Sequence, residues 1–109
     1  GGSGTTAASL GAGRPTVITP LILDQFMFAH LVAAKGVGAS TEHLAKVTAG
    51  QLAAALKSCE SEQVVEAAEQ LGARLRAEDG ASAAADLVVG YVEREVRTGA
   101  WREVERTPA

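Results

Sequence analysis

Residues 1–25, GGSGTTAASLGAGRPTVITPLILDQ, contain the features that decide the fold. Their β-branched run, Thr16–Thr19, is bounded by Pro15 and Pro20 and predicts a short buried strand. The alanine-rich segment before it predicts a helix over Thr5–Ala12, which the following glycines and proline end. The stretch therefore predicts a helix that leads into a strand.

The opening glycines have two interpretations. A leading Gly-Gly-Ser-Gly is typical of an engineered linker with no chemistry, and composition alone favours that interpretation. A glycine-rich turn that enters a helix also lets backbone N–H groups approach a phosphate, with Thr5 and Thr6 adding hydroxyl donors. The segment matches neither the Walker A pattern nor the dinucleotide fingerprint, so both interpretations stay open at this point.

An acid and an amide, Asp24 and Gln25, follow the predicted strand and start a predicted helix that runs to Ala34. Ligands bind beyond the carboxyl ends of parallel strands, where a carboxylate beside an amide can hydrogen-bond vicinal sugar hydroxyls. The alternative is that Asp24 only caps the helix, which is the more common outcome for an acid at this position.

The composition limits the classes of function. The 109 residues, 47% of them hydrophobic, are enough for one small domain or a piece of a larger one. A net charge of −3 disfavours a nucleic-acid binder. The chain has one cysteine, no apolar run long enough for a membrane span and no signal-peptide pattern, so we expect a cytoplasmic protein.

The other reactive side chains do not predict a catalytic centre. His30 and His43 are too far apart in sequence for a local metal motif. We expect His30 to be structural on its helix, His43 to be solvated in a polar loop and Cys59 to be inert packing.

Helices dominate the rest of the chain. Thr48 and Gln51 fit a capping box, and Leu52, Ala55 and Leu56 are predicted to point inward from the helix that it begins. Two further helices are predicted, one after Ser61 and one after Asp79-Gly80.

The predicted elements are not a complete layered fold. A strand that is apolar on both faces belongs inside a sheet, yet the chain offers little to pair with it. We therefore expect a part of a larger α/β domain whose earlier strands precede Gly1.

The quoted stretch resembles the nucleotide-sugar-binding segment of GT-B glycosyltransferases, in particular the UDP- or TDP-sugar-dependent, sterol glucosyltransferase-like members. That family has a His-Gly-Gly-x-Gly-Thr-Thr loop, a helix, Ala-Gly-x-Pro, a short strand, a proline and an Asp-Gln pair. The likeness continues through VAAKGVG, LAAALKS and LGARLRAEDGASAA, and covers residues 1–95.

The resemblance implies a fold and a function. The fold would be the C-terminal part of a Rossmann-like donor-binding domain, helix-rich, with one or two short parallel strands. Residues 1–97 would form this partial domain and 98–109 a C-terminal tail. The chain would be the donor-binding portion of an inverting glycosyltransferase, with a UDP- or TDP-hexose as substrate and neither a cofactor nor a bound metal. The small-molecule acceptor and the general base would belong to an N-terminal domain that this chain lacks, so the isolated chain is expected to be inactive.

The resemblance also assigns residues. Asp24 and Gln25 would hydrogen-bond the transferred sugar, and no residue of this chain would be catalytic. The donor diphosphate would be held by the opening loop, namely Gly2, Ser3, Gly4, Thr5 and Thr6. Phe26 and Leu23 depart from the family pattern, which often has a proline after Asp-Gln and a small residue before it. The alternative function is a small helical interaction module behind a linker remnant.

Overall fold

A computed structural model describes residues 1–105, and Arg106–Ala109 of the expected tail lie outside the described residues. The chain divides into two compact units, Gly1–Ala77 and Glu78–Ala109. The expected boundary between residues 97 and 98 separates a donor-binding portion from a C-terminal tail. A division into compact units does not test that boundary, which stays a prediction.

The first unit is a small α/β unit with a two-stranded parallel sheet. Along the chain its elements are α1 (Ser3–Gly11), β1 (Thr16–Ile18), α2 (Gln25–Ala34), β2 (Gly38–Ser40), α3 (Ala49–Ser58) and α4 (Glu62–Glu78). In the sheet, Thr16 pairs with Gly38 and Ile18 with Ser40. The predicted helix-rich α/β fold with short parallel strands is confirmed.

Helix α1 begins two residues earlier than the sequence predicts. Gly2 has an extended backbone, with φ −70° and ψ 166°, and stands as the N-cap, so the helical turn starts at Ser3. Gly36 ends the α2 segment with a φ of +66°, a left-handed backbone conformation that favours glycine.

The core of the first unit lies where the sheet meets α2 and α4. Ile18, the most buried large side chain, packs there with small and β-branched residues, namely Ala29, Val32, Val37 and Ala68. Helix α4 comes close to the turn after α1, since a Cβ added to Gly72 would lie 2.5 Å from Cα of Gly13. Small residues thus allow the backbones to approach closely.

Helix α3 confirms one local prediction and corrects another. Both bonds of the capping box form: the Gln51 N–H donates to Thr48 Oγ1 over 3.2 Å, and the Thr48 N–H donates to Gln51 Oε1 over 3.0 Å. However, Leu52 and Leu56 do not point into a core, because they are 39% and 54% exposed. Helical spacing shows that residues share a face, but it cannot show what covers that face.

The second unit is helical. It contains α5 (Gly80–Tyr91), a π-helical turn (Val92–Val96) and α6 (Trp101–Glu105). Several apolar side chains of α5 are exposed, including Leu87 at 72% and Val88 at 63%. In α6 the guanidinium of Arg102 lies 5.3 Å from the ring centroid of Trp101.

Candidate functional site

The amino end of α1 carries unpaired hydrogen-bond donors. Its first paired N–H is that of Thr6, which donates to the Gly2 carbonyl over 3.0 Å. Helix geometry leaves the N–H groups of Ser3, Gly4 and Thr5 without an intrahelical acceptor. Gly2 supplies no side-chain cap, and the first turn holds no acidic residue. The result is an open, partially positive helix end of the kind that binds anions.

The hydroxyl groups of this turn divide into two kinds. Ser3 and Thr5 are exposed. Thr6 is only 3% exposed, and its Oγ1 is buried without a hydrogen-bond partner among the described residues. Exposed hydroxyl donors therefore come from Ser3 and Thr5, whereas Thr6 anchors the turn in the interior.

The glycine loop lies against the end of β1. A Cβ added to Gly1 would stand 2.7 Å from Ile18 Cγ2 and 3.7 Å from Gln25 Cβ. The structure therefore brings Gly1, which directly precedes the predicted diphosphate loop, next to Gln25 of the predicted sugar-binding pair, at the carboxyl end of the strand. Ligands of open α/β sheets bind at this end.

Asp24 does not act as a capping side chain. It occupies the N-cap position of α2, but its backbone is helical, with φ −66° and ψ −13°, and its side chain makes no cap hydrogen bond. The side chain is exposed and its carboxylate has no partner within residues 1–105. The alternative interpretation of Asp24 as a simple helix cap is therefore wrong, and the carboxylate is free to accept hydrogen bonds.

The Gln25 side chain stabilises the loop before α2, a role that the sequence did not predict. Its Oε1 accepts from the backbone N–H of Leu21 over 2.8 Å and from that of Ile22 over 3.4 Å. The Gln25 N–H in turn donates to the Ile22 carbonyl over 3.2 Å. Only the Nε2 group of this side chain is left for a ligand, so Gln25 can act there as a donor.

The loop between β1 and α2 exposes a short run of apolar side chains beside Asp24. Leu23 is 82% exposed and has a φ of +52°, a conformation that is unfavourable for leucine. Phe26 is half exposed, and its ring stacks on that of His43 with centroids 6.0 Å apart and an interplanar angle of 26°. The expectation that His43 is simply solvated is therefore wrong, because the ring is half-buried against Phe26.

The remaining candidates stay outside the site. His30 is exposed on α2, which corrects the expectation of a structural histidine. Cys59 is a half-buried free thiol at the end of α3. Among residues 1–105 no group of three His, Cys, Asp or Glu side chains is placed to hold a metal ion. The described helices include none with the length and apolar character that crossing a membrane requires.

Curated relatives share the sequence over most of this chain. Sterol 3-beta-glucosyltransferase of Aspergillus fumigatus is 42% identical over 94 residues, which are 85% of this chain and 6% of that protein. Sterol 3-beta-glucosyltransferase of Komagataella phaffii is 41% identical over 85 residues, or 77% of this chain and 7% of that protein. That of Kluyveromyces lactis is 37% identical over 102 residues, or 90% of this chain and 8% of that protein. No protein-family model matches the chain.

These likenesses and the fold together define a class. The chain is an α/β segment of the glycosyltransferase kind, helix-rich and with a short parallel sheet. It belongs to the sterol glucosyltransferase-like family, as a segment of the GT-B fold. It spans only 6–8% of the length of the three relatives above.

Proposed function

We propose that this chain is the donor-binding portion of an inverting glycosyltransferase. It would hold a nucleotide diphosphate sugar, a UDP- or TDP-hexose, while the sugar passes to a hydroxyl group of a small molecule. The names of the relatives favour a sterol as that molecule. The observation that carries the proposal is that Gly1, two residues before the unpaired amino end of α1, lies beside Ile18 and Gln25 at the end of β1.

The diphosphate side is built from the loop of residues Gly2 to Thr6. The N–H groups of Ser3, Gly4 and Thr5 would donate to phosphate oxygens, with the exposed hydroxyls of Ser3 and Thr5 beside them. A Cβ on Gly2 or Gly4 would meet nothing within 4 Å, so both positions are open to an approaching group. Thr6 would contribute by fixing the turn, since its side chain is buried.

The sugar side is built from Asp24 and Gln25. The free Asp24 carboxylate would accept hydrogen bonds from sugar hydroxyls, and Gln25 Nε2 would donate one. Asp24 would be the acceptor and Gln25 the donor, because Gln25 Oε1 already accepts from two backbone N–H groups of the loop.

The contribution of these residues to catalysis would be electrostatic. In a direct displacement the acceptor oxygen forms a bond to the anomeric carbon while the bond from that carbon to the diphosphate oxygen breaks. Negative charge then grows on the diphosphate, where the end of α1 would stabilise it. The proton of the acceptor would go to a general base outside the residues assigned here.

A pair of substitutions at equivalent helix positions tests the proposal. Gly4 and Gly50 are the second residues of α1 and α3, and both are exposed. Gly4→Asp places a carboxylate where the diphosphate would bind, so we expect UDP affinity to fall by about tenfold or more through like-charge repulsion. Gly50→Asp adds the same charge to α3 and should leave the affinity unchanged.

Isothermal titration of the chain with UDP measures both effects. An acid in the first turn favours either helix, so loss of folding does not explain a loss of binding in Gly4→Asp. Equal weakening by the two variants, or no binding of UDP by the parent chain at millimolar concentration, would contradict the proposal.

A further inference from the structure

The first unit contains a cavity whose lining shares only Ser3 and Thr6 with the proposed donor site. It has a volume of about 600 Å³ and lies between α1, α2 and α4. Its walls are mostly apolar and include Leu10, Phe28, Leu31, Leu71 and Leu75. Leu31 and Leu75 are 43% and 36% exposed, so the cavity opens to the surface. This volume and lining are typical of a site for a small molecule.

The two ends of the cavity differ in charge. Helix α2 connects two parallel strands and α1 leads into the first of them, so the carboxyl ends of both helices lie at the amino end of the sheet. Two cationic residues of the lining, Lys35 and Arg76, belong to this end: Lys35 directly follows α2, and Arg76 contacts the last residue of α1. Among the side chains that the structure describes, none of those lining the cavity is a carboxylate. An apolar chamber with cations at one end complements an apolar molecule with an anionic head.

The two cationic side chains differ in how many of their N–H groups are free to bind a ligand. Arg76 Nη1 donates to the Gly11 carbonyl over 2.5 Å, which fixes the guanidinium at the rim and leaves its other N–H groups for a planar anion. Lys35 is exposed and its ammonium has no partner within residues 1–105. A carboxylate matches this arrangement, since it can take two parallel N–H bonds from Arg76 and a third from Lys35.

We propose that this cavity binds a fatty carboxylate, with its chain between α1, α2 and α4 and its head at Lys35 and Arg76. The cavity reaches Ser3 and Thr6 of the proposed diphosphate loop at the amino end of α1, whereas the head would lie at the carboxyl end of that helix, and the proposal does not rest on donor binding. The competing occupant is an apolar segment of a longer polypeptide, which would need the leucines of the cavity but not its cations.

The test uses the whole chain and two probes that share a ten-carbon tail. Decanoate and 1-decanol are titrated below the concentration at which decanoate forms micelles, and amide chemical shifts report binding. We expect saturable shifts at Leu31, Leu75 and Lys35 with decanoate, and about tenfold weaker binding of 1-decanol because it lacks the charge.

Two charge reversals separate the cationic end from the general charge of the chain. Lys35→Glu should weaken decanoate binding about tenfold or more, through loss of an attractive charge and gain of a repulsive one. Lys46→Glu changes the net charge equally at an exposed position outside the cavity lining, and should leave binding within about twofold. Both positions are exposed, so both variants are expected to fold, which their amide spectra show directly.

Each result decides the proposal. Tighter binding of decanoate than of 1-decanol, lost selectively in Lys35→Glu, supports it. Absence of saturable shifts at the cavity residues overturns it. Equal affinity for the two probes, or equal effects of the two charge reversals, also overturns it and leaves an apolar surface for a protein segment.

Discussion

Gln25 shows how one side chain can serve both the fold and a ligand. Its Oε1 accepts hydrogen bonds from the N–H groups of Leu21 and Ile22 and so stabilises the loop before α2. Its Nε2 makes no such bond within the described residues. The sequence predicts the pair Asp24 and Gln25 as a ligand site because an acid and an amide follow a strand. It does not predict the division of roles, since an amide can donate and accept with equal ease.

Two substitutions of Gln25 separate these roles. Gln25→Glu keeps an oxygen acceptor for the loop but removes the N–H donor, so the free energy of unfolding should change little. Its affinity for UDP-glucose relative to UDP should fall below that of the parent chain, as measured by titration with both, because only the Asp24 contacts to the sugar would remain. Gln25→Leu also removes the acceptor and should lower the free energy of unfolding by about 1 kcal/mol. A Gln25→Glu variant that keeps its preference for the sugar would show that Nε2 does not contact it.

At the scale of elements, the first unit depends on a close approach of two backbones. A Cβ on Gly72 of α4 would lie 2.5 Å from Cα and 2.6 Å from N of Gly13, and both of these are rigid backbone atoms. Gly13 has a φ of +69°, which only glycine adopts without strain. The turn after α1 and the packing of α4 are thus determined by the same contact.

A pair of glycine substitutions tests this contact. Gly72→Ala should lower the free energy of unfolding by about 2 kcal/mol, because neither backbone can move away without disturbing its helix or turn. Gly11→Ala is the control, since a Cβ there meets nothing within 4 Å and the change should stabilise α1 by about 0.5–1 kcal/mol. Urea unfolding followed by circular dichroism measures both, and equal midpoints for the two variants would disprove the argument.

For the whole molecule, the proposed donor site lies in the first unit, Gly1–Ala77. The mechanism proposed above assigns the general base to none of its residues. His43 stacks on Phe26, and His30 is exposed along α2. The chain is therefore proposed to bind a donor without turning it over.

A turnover assay checks this proposal. The chain alone, incubated with UDP-glucose and a sterol, should release no glycoside above the blank, whereas a full-length sterol glucosyltransferase serves as the positive control. Product formation by the chain would mean that the acceptor and the base are both held by residues within it.

What the sequence determined by itself is local. The strand at β1, the capping box of Thr48 and Gln51, the glycine end of α2 and the position of the Asp-Gln pair all depend on backbone preferences and hydrogen bonds that reach four residues or fewer. These follow from residue type and spacing, so they could be predicted.

The tertiary structure alone decided which groups face solvent and which are already bonded. It buried the Thr6 hydroxyl, left the Asp24 carboxylate free and exposed Leu56 where a core was expected. It also placed Gly1 against Ile18 and Gly72 against Gly13. The physical reason is that orientation and burial depend on contacts between residues far apart in sequence, and residue spacing contains no information about which distant surface covers a given face.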